Sequence, residues 1–238
     1  MINPFVRKIE SLVALPAAQR QVLETLTERL HHVGPRDRII DEGDEPRVVN
    51  IVMSGWAYRY KILPDGRRQI IALLLPGDMC DPYVFLLRTM DHAIGTLTPV
   101  TLAKVPGGII RDLTASGPEL AEALWRQMLE AVEIQREWTV SLGRRTAIER
   151  LAHLCCEVST RLEAMGLTDG PDCDLPLTQS ELADITGLST VHVNRSLQEL
   201  RATGLIELRN RRLTILDKEA LMELAMFDPA YLHHRRPS

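Results

Sequence analysis

Val191, Asn194, Arg195 and Gln198 lie within one short stretch, and their side chains are of the kinds that read base edges. Arginine pairs bidentately with guanine, asparagine or glutamine with adenine, and an exposed valine can meet a thymine methyl. Taken as a helix at about 100° per residue, Leu197 and Leu200 lie within about 40° of Val193 and make a core stripe, whereas the four candidates fall roughly 100° to 200° away from it. They face outward. Just downstream, Ile206 and Leu208 alternate with Glu207 and Arg209, a turn follows at Asn210, and Leu213 and Ile215 resume the apolar phase. That pattern predicts a β-hairpin carrying Arg209, Arg211 and Arg212 near its tip. Between Leu188 and Ile215 five arginines stand against two glutamates, a local charge of +3 in a chain of formal net charge −4. Phosphate binding responds to local charge of this kind.

The elements that must position these groups have their own signals. Thr178-Gln179-Ser180-Glu181 has the form of a capping box, with Leu177 and Leu182 where a hydrophobic staple belongs. A helix is expected from there to Thr186, ending at Gly187, the residue best suited to a left-handed helix end. Ser189 then caps the second helix, which runs to about Ala202 and closes at Gly204. Helix, short turn and second helix form the helix-turn-helix plan, whose second helix enters the major groove. Thr178, Ser189, Thr190, Val191, Asn194, Arg195, Gln198, Arg209, Arg211 and Arg212 are therefore the expected DNA-facing residues.

Upstream, a helix is expected from Gly117-Pro118 to about Leu142. Leu113, Leu120, Gln127, Ile134 and Ser141 recur at sevens, as do Leu124, Ala131 and Trp138, a broken seam of the kind that wants a partner helix. Leu120, Leu124, Ala131, Ile134 and Trp138 are thus expected to pair two copies of the chain, ahead of the alternative that the helix packs only on its own β domain. Gly143-Arg144-Arg145 reads as a hinge, Thr146 to about Met165 as a second helix, and Gly166–Pro176 as a polar loop. Residues 38–105 show short β-type runs separated by Glu42-Gly43-Asp44, Ser54-Gly55, Pro64-Asp65-Gly66 and Pro76-Gly77-Asp78, as in a small sandwich or barrel. Within it Trp56, Tyr58, Tyr60 and Ile62 alternate with Ala57, Arg59 and Lys61, the period of a half-buried strand. Residues 1 to about 34 read as helix. The expected domains are 1–117, 118–143 and 144–238.

Composition sets the outer bounds. The 238 residues are 45% hydrophobic and 25% charged, enough for a sizeable core. No stretch approaches about 18 uncharged apolar residues, and Arg7 and Lys8 interrupt the N-terminus too early for a signal-peptide core, so a cytoplasmic location and no membrane partner are expected. Cys80, Cys155, Cys156 and Cys173 fit neither a disulfide framework nor a zinc-ribbon spacing and read as reduced structural thiols.

Over about residues 35–220 the chain resembles the Crp/Fnr family of bacterial transcription regulators. The likeness is most specific at Leu177–Leu197 and in the run Asp41-Glu42-Gly43-Asp44 through Ser54-Gly55 to Leu75-Pro76-Gly77-Asp78. It implies an α+β fold: an N-terminal β-roll, the double-stranded β-helix of cyclic-nucleotide-binding domains, then a long dimerisation helix and a C-terminal winged helix-turn-helix. It also implies a homodimer on palindromic double-stranded DNA, RNA polymerase as a partner, and base contacts at Thr190 or Val191, Asn194 and Arg195. The glutamate common in the family at the Val191 position is missing, so the half-site should differ from the family's best-known one.

The sensor half departs from the resemblance. Where cyclic-AMP-binding members have Gly-Glu-Leu and Arg-Ser-Ala, this chain has Asp81-Pro82-Tyr83 and Asp91-His92-Ala93. A carboxylate in place of a phosphate-binding guanidinium is repulsive, so the effector is expected to be something other than cyclic AMP, with Asp81, Tyr83, Asp91 and His92 marking its pocket. No cysteine precedes Cys80, which argues against the family's iron–sulfur cluster, and no cofactor is expected. Two rivals belong to other classes. A cupin-like metalloenzyme needs two or three converging histidines, yet the β block supplies His92 alone, with His31 and His32 ahead of it. A cyclic-nucleotide-binding module without a DNA-binding role needs the motifs that are missing. Neither an enzyme nor a metal site is expected.

Overall fold

Asn3 opens the first helix, its side chain accepting from the Phe5 and Val6 amides at 3.0 and 3.2 Å, with Pro4 in the first turn where its missing N–H costs nothing. The computed structural model describes residues 3–82 and 86–233. Its chain divides into two compact units, the first running to Ala131 and the second spanning Val132–His233.

The first unit begins with α1 (Pro4–Leu12) and α2 (Ala17–Leu26), followed by strand β1 (Leu30–Val33). One helix to about residue 34 is therefore corrected: Pro16 separates two short helices, and residues 30–33 pair with a distant strand. The other strands are β2 (Arg38–Ile40), β3 (Val48–Ser54), β4 (Ala57–Ile62), β5 (Arg68–Leu74), β6 (Ala93–Thr96) and β7 (Val100–Pro106). They form two antiparallel sheets, ordered β1-β7-β3 and β2-β6-β4-β5. Val52, Ala57, Leu74, Ile94, Val100 and Leu102 pack into one core. The alternate residues Val49, Ile51, Ala103 and Val105 point the other way and meet Phe5, Val6, Ile9, Leu120 and Leu124 in a second core. Apolar groups on both faces explain why β3 and β7 lack a clean apolar/polar alternation, with only Asn50, Thr101 and Lys104 interrupting the apolar residues before Ser54 and Pro106. Helices α3 (Gly107–Ser116) and α4 (Pro118–Arg144) follow.

Gly55, between β3 and β4, sits at φ 79°, and a Cβ there would fall 2.1 Å from the Pro99 carbonyl oxygen. Gly55→Ala is expected to cost about 3 kcal/mol or more, from backbone strain plus the clash. Calorimetry should then find the melting temperature lowered by roughly 6–12 °C; a drop under about 1 °C would contradict this account.

The second unit takes the end of α4 and adds α5 (Ala147–Ala164), β8 (Asp172–Asp174), α6 (Gln179–Thr186), α7 (Thr190–Ala202), β9 (Ile206–Arg209), β10 (Arg212–Ile215), α8 (Lys218–Ala225) and a 3-10 turn at Pro229–Leu232. A capping box between Thr146 and Glu149 starts α5 where expected. The loop expected at 166–176 contains β8, which joins β10 and β9 in a three-stranded sheet. Among the described residues no helix is long and apolar enough to cross a membrane.

The seam of α4 requires a larger correction. Leu120, Leu124, Ile134 and Trp138 are buried within their own chain and Ala131 is half-buried, so they do not form a partner-facing surface. The exposed apolar residues of this helix include Trp125 (55%), Leu129 (49%), Val132 and Val140. At 100° per residue these lie within about 80° of one another, nearly half a turn from the expected seam. Helix α1 supplies the reason: its apolar side covers Leu120 and Leu124.

Candidate nucleic-acid interface

Local sequence forces dictate the geometry of α6 and α7. The Thr178 hydroxyl accepts from the Glu181 amide at 3.2 Å, and the Glu181 carboxylate accepts from the Thr178 amide at 2.7 Å and from its hydroxyl at 2.8 Å. Gly187 ends α6 in the left-handed region, and a Cβ there would meet Leu142 at 3.1 Å. Ser189 caps α7, accepting from the His192 amide at 3.2 Å. Arg150 reaches from α5 to the Thr186 carbonyl at 2.8 Å, satisfying an acceptor that the end of α6 leaves without a helical partner.

Val193, Ser196, Leu197 and Leu200 are the buried face of α7. Opposite them Thr190, Arg195 and Gln198 are exposed, Asn194 is half-buried, and Val191 stands out at 75% exposure. An aliphatic side chain that open on a polar face is suited to an apolar contact with a thymine methyl. Arg195 has Glu199 at 3.8 Å, a solvent-exposed pair that yields readily to a better acceptor. Asn194 donates its amide to Gln179 Oε1 at 3.4 Å.

Thr178 is engaged as a cap rather than available as a donor. The groups presented at the start of α6 are instead the exposed Gln179 and Ser180, which spacing alone did not single out. Their place in the first turn after a recognised cap is the signal that could have found them.

The hairpin is a two-residue turn: Arg209 pairs with Arg212 across Asn210 (φ 52°) and Arg211 (φ 63°), the primed geometry that matches strand twist. Arg201 of α7 donates to the Leu208 carbonyl at 3.0 Å and ties the hairpin to the recognition helix. Arg209 lies 3.6 Å from Glu207. Arg211 is exposed at the tip and has no ion pair among the described residues. Arg212 differs from expectation: Asp169 and Asp172 each hold its guanidinium at 3.4 Å, so it braces β10 against β8.

In the first unit, the expected pocket residues Asp81, Asp91 and His92 come together, whereas Tyr83 lies outside the described residues. His92 places Nδ1 2.8 Å from Asp91 and Nε2 3.3 Å from Asp81. Burial opposes its charge, but the Asp81 and Asp91 carboxylates outweigh burial and raise its pKa above the usual imidazole range. The hydrogen bond from His92 in turn lowers that of Asp91. Arg59 joins this group, 3.5 Å from Asp81 and donating through Nε to the Cys80 carbonyl at 3.0 Å. Strand alternation had put Arg59 on the solvent side and Ile62 inside; Arg59 is largely buried and Ile62 is exposed, with a register shift between Arg59 and Tyr60. The guanidinium is thus matched by a carboxylate of the same chain, a pairing that the triplets Asp81-Pro82-Tyr83 and Asp91-His92-Ala93 did not by themselves indicate.

All four cysteines are buried, and burial pushes their thiols up, Cys156 to about 12 and Cys173 to about 11, so neither is a reactive thiolate near neutrality. Among the described residues no cluster of three or more His, Cys, Asp or Glu could hold a metal.

Comparison with known proteins agrees with both halves. Residues 149–224 match a Crp-like helix-turn-helix domain and residues 30–116 a cyclic nucleotide-binding domain. A probable transcriptional activator of Rhizobium leguminosarum bv. viciae is 32% identical over 185 residues, 77% of this chain and 75% of that protein. The transcriptional activator protein FnrL of Cereibacter sphaeroides is 32% identical over 195 residues, 79% of this chain and 76% of that one. The nitrogen fixation regulation protein FixK of Bradyrhizobium diazoefficiens is 30% identical and spans 89% of this chain and 88% of its own. Among solved structures, FixK2 from Bradyrhizobium japonicum superposes with a TM-score of 0.74 at 24% identity, over 82% of this chain and 96% of that one.

Proposed function

The chain belongs to the Crp/Fnr family of bacterial transcription regulators, and from that premise we propose how it reads DNA and assembles. It is a DNA-binding regulator and not an enzyme. The proposed reading is a homodimer on a palindromic promoter site. Thr190, Val191, Asn194, Arg195 and Gln198 face bases, while Ser189, Gln179, Arg209 and Arg211 meet the backbone. The observation that carries it is the two-faced α7, with Val193, Leu197 and Leu200 buried and Val191, Arg195 and Gln198 open beside an arginine-tipped hairpin.

The sensor role falls to residues 1–117, pairing to 118–143 and DNA binding to 144–238. Pairing runs through the exposed stripe of Trp125, Leu129, Val132 and Val140, an apolar surface favoured as an interface core. RNA polymerase is the proposed partner at promoters, and the cytoplasm the proposed location. The internal Arg59–Asp81–His92 grouping supports an effector other than cyclic AMP. Selection of bound sites from random duplexes, followed by gel shifts at stated salt, tests the reading. An inverted repeat with two half-sites about one helical turn apart is the expected result; selection of no repeat, or binding insensitive to sequence, would contradict it. Calorimetry with cyclic AMP is expected to show no heat of binding.

A further inference from the structure

The junction after α4 reads as a hinge in sequence, yet it is stitched. Arg145, the first residue beyond the helix, is buried. Its guanidinium donates to the Ala225 and Met226 carbonyls at 3.2 Å each, to the Glu137 carboxylate at 3.0 Å and to the Glu137 carbonyl at 3.4 Å. Two of those acceptors lie at the end of α8, where carbonyls lack helical partners and the helix dipole favours a cation. A second set of bonds runs parallel. Glu157 of α5 is fully buried and accepts from Trp138 Nε1 of α4 at 3.0 Å, from the Tyr231 hydroxyl at 2.9 Å and from Arg161 at 3.4 Å. His153, also buried, packs edge-on to Phe227 and stacks on Tyr231, which adds aromatic contact between α5 and the C-terminal segment.

Helix α4, helix α5 and the C-terminal segment are thus cross-linked by charged groups that are buried and bonded on several sides. Breaking such a set leaves a buried charge uncompensated, so bending at Arg145 is strongly resisted. We propose that Arg145, with the segment 225–232, welds the last turns of α4 to the DNA-binding bundle and is a positioning residue that fixes the separation of the two recognition helices. The inference rests on the homodimer reading above. A rigid arm makes binding depend steeply on half-site spacing, because one base pair moves a half-site by about 3.4 Å and about 34°.

The test measures full-length wild-type protein and Arg145→Met against duplexes whose half-sites are separated by the optimal spacing and by one and two base pairs more or fewer. Wild type is expected to lose about tenfold or more per base pair, and Arg145→Met less than about threefold, with weaker binding at the optimum. Arg145→Lys keeps the charge but not the planar fork, and serves if the first variant does not fold. A common loss at every spacing, with the steep profile unchanged, overturns the proposal, since that is what mere destabilisation would give. Hydrogen exchange judges the weld without reference to dimers. In wild type the amides of residues 137–144 should be protected as well as those of α5, and in the variant they should exchange at least about tenfold faster. Equal protection in both proteins overturns the weld, whereas a wild type that sediments as a monomer overturns the homodimer reading.

Discussion

Leu129→Glu is expected to convert the protein into a folded monomer and to weaken operator binding by about 100-fold or more. The side chain is 49% exposed between Trp125 and Val132, so a carboxylate there can turn to solvent at little cost to the chain's own packing. In a symmetric dimer the substitution puts two like charges into one apolar contact, which is strongly unfavourable. A monomer engages one half-site, and the advantage of linking two binding events, about 10²- to 10⁴-fold, disappears. Leu124→Glu provides the contrast. Leu124 is 1% exposed in the core shared with α1, so a charge there should unfold the first unit instead of parting two chains. Sedimentation with far-ultraviolet dichroism separates the outcomes. A dimeric Leu129→Glu protein with unaltered DNA affinity would place the interface elsewhere.

Arg195→Ala is expected to cost about 1–3 kcal/mol of specific binding and to relax preference at one base position, because a bidentate contact to a guanine edge would be lost. The guanidinium is exposed, and its one ion pair among the described residues is with Glu199 at 3.8 Å, so little folding stability depends on it. Arg211→Ala should behave otherwise. From the hairpin tip it would reach phosphate, and its loss should weaken all sequences to a similar extent and reduce the salt slope by about one ion. Titrations of selected and scrambled duplexes at several salt concentrations distinguish the two patterns. If Arg195→Ala preserves both affinity and preference, a different face of α7 meets the bases.

The DNA-binding elements were the most legible part of the sequence because their determinants are local. A cap three residues from its glutamate, a glycine at a left-handed helix end and a two-residue turn each act within four or five positions, and Thr178, Gly187 and Asn210-Arg211 adopt the expected conformations. Periodicity carries less information: it marks an apolar stripe without saying what covers it. On α4 it assigned Leu120 and Leu124 to a partner helix, but the element packed against them is α1, more than a hundred residues away in sequence. Strands β1 and β8 escaped notice because four and three residues hold too little pattern, and pairing with β7 and β10 defines them. Arg59 was misplaced because alternation assigns a charged strand residue to solvent, whereas Asp81 and the Cys80 carbonyl offer it partners inside. The stitching of Arg145 to Ala225 and Met226 spans 80 and 81 positions, beyond the reach of local reasoning.

The open stripe at Trp125, Leu129 and Val132 also bears on dosage. With pairing through that face, the population of dimers below the dissociation constant varies with the square of total protein, so halving the abundance of the chain cuts operator occupancy about fourfold. Synthesis and turnover then act as inputs in their own right, with no small molecule required.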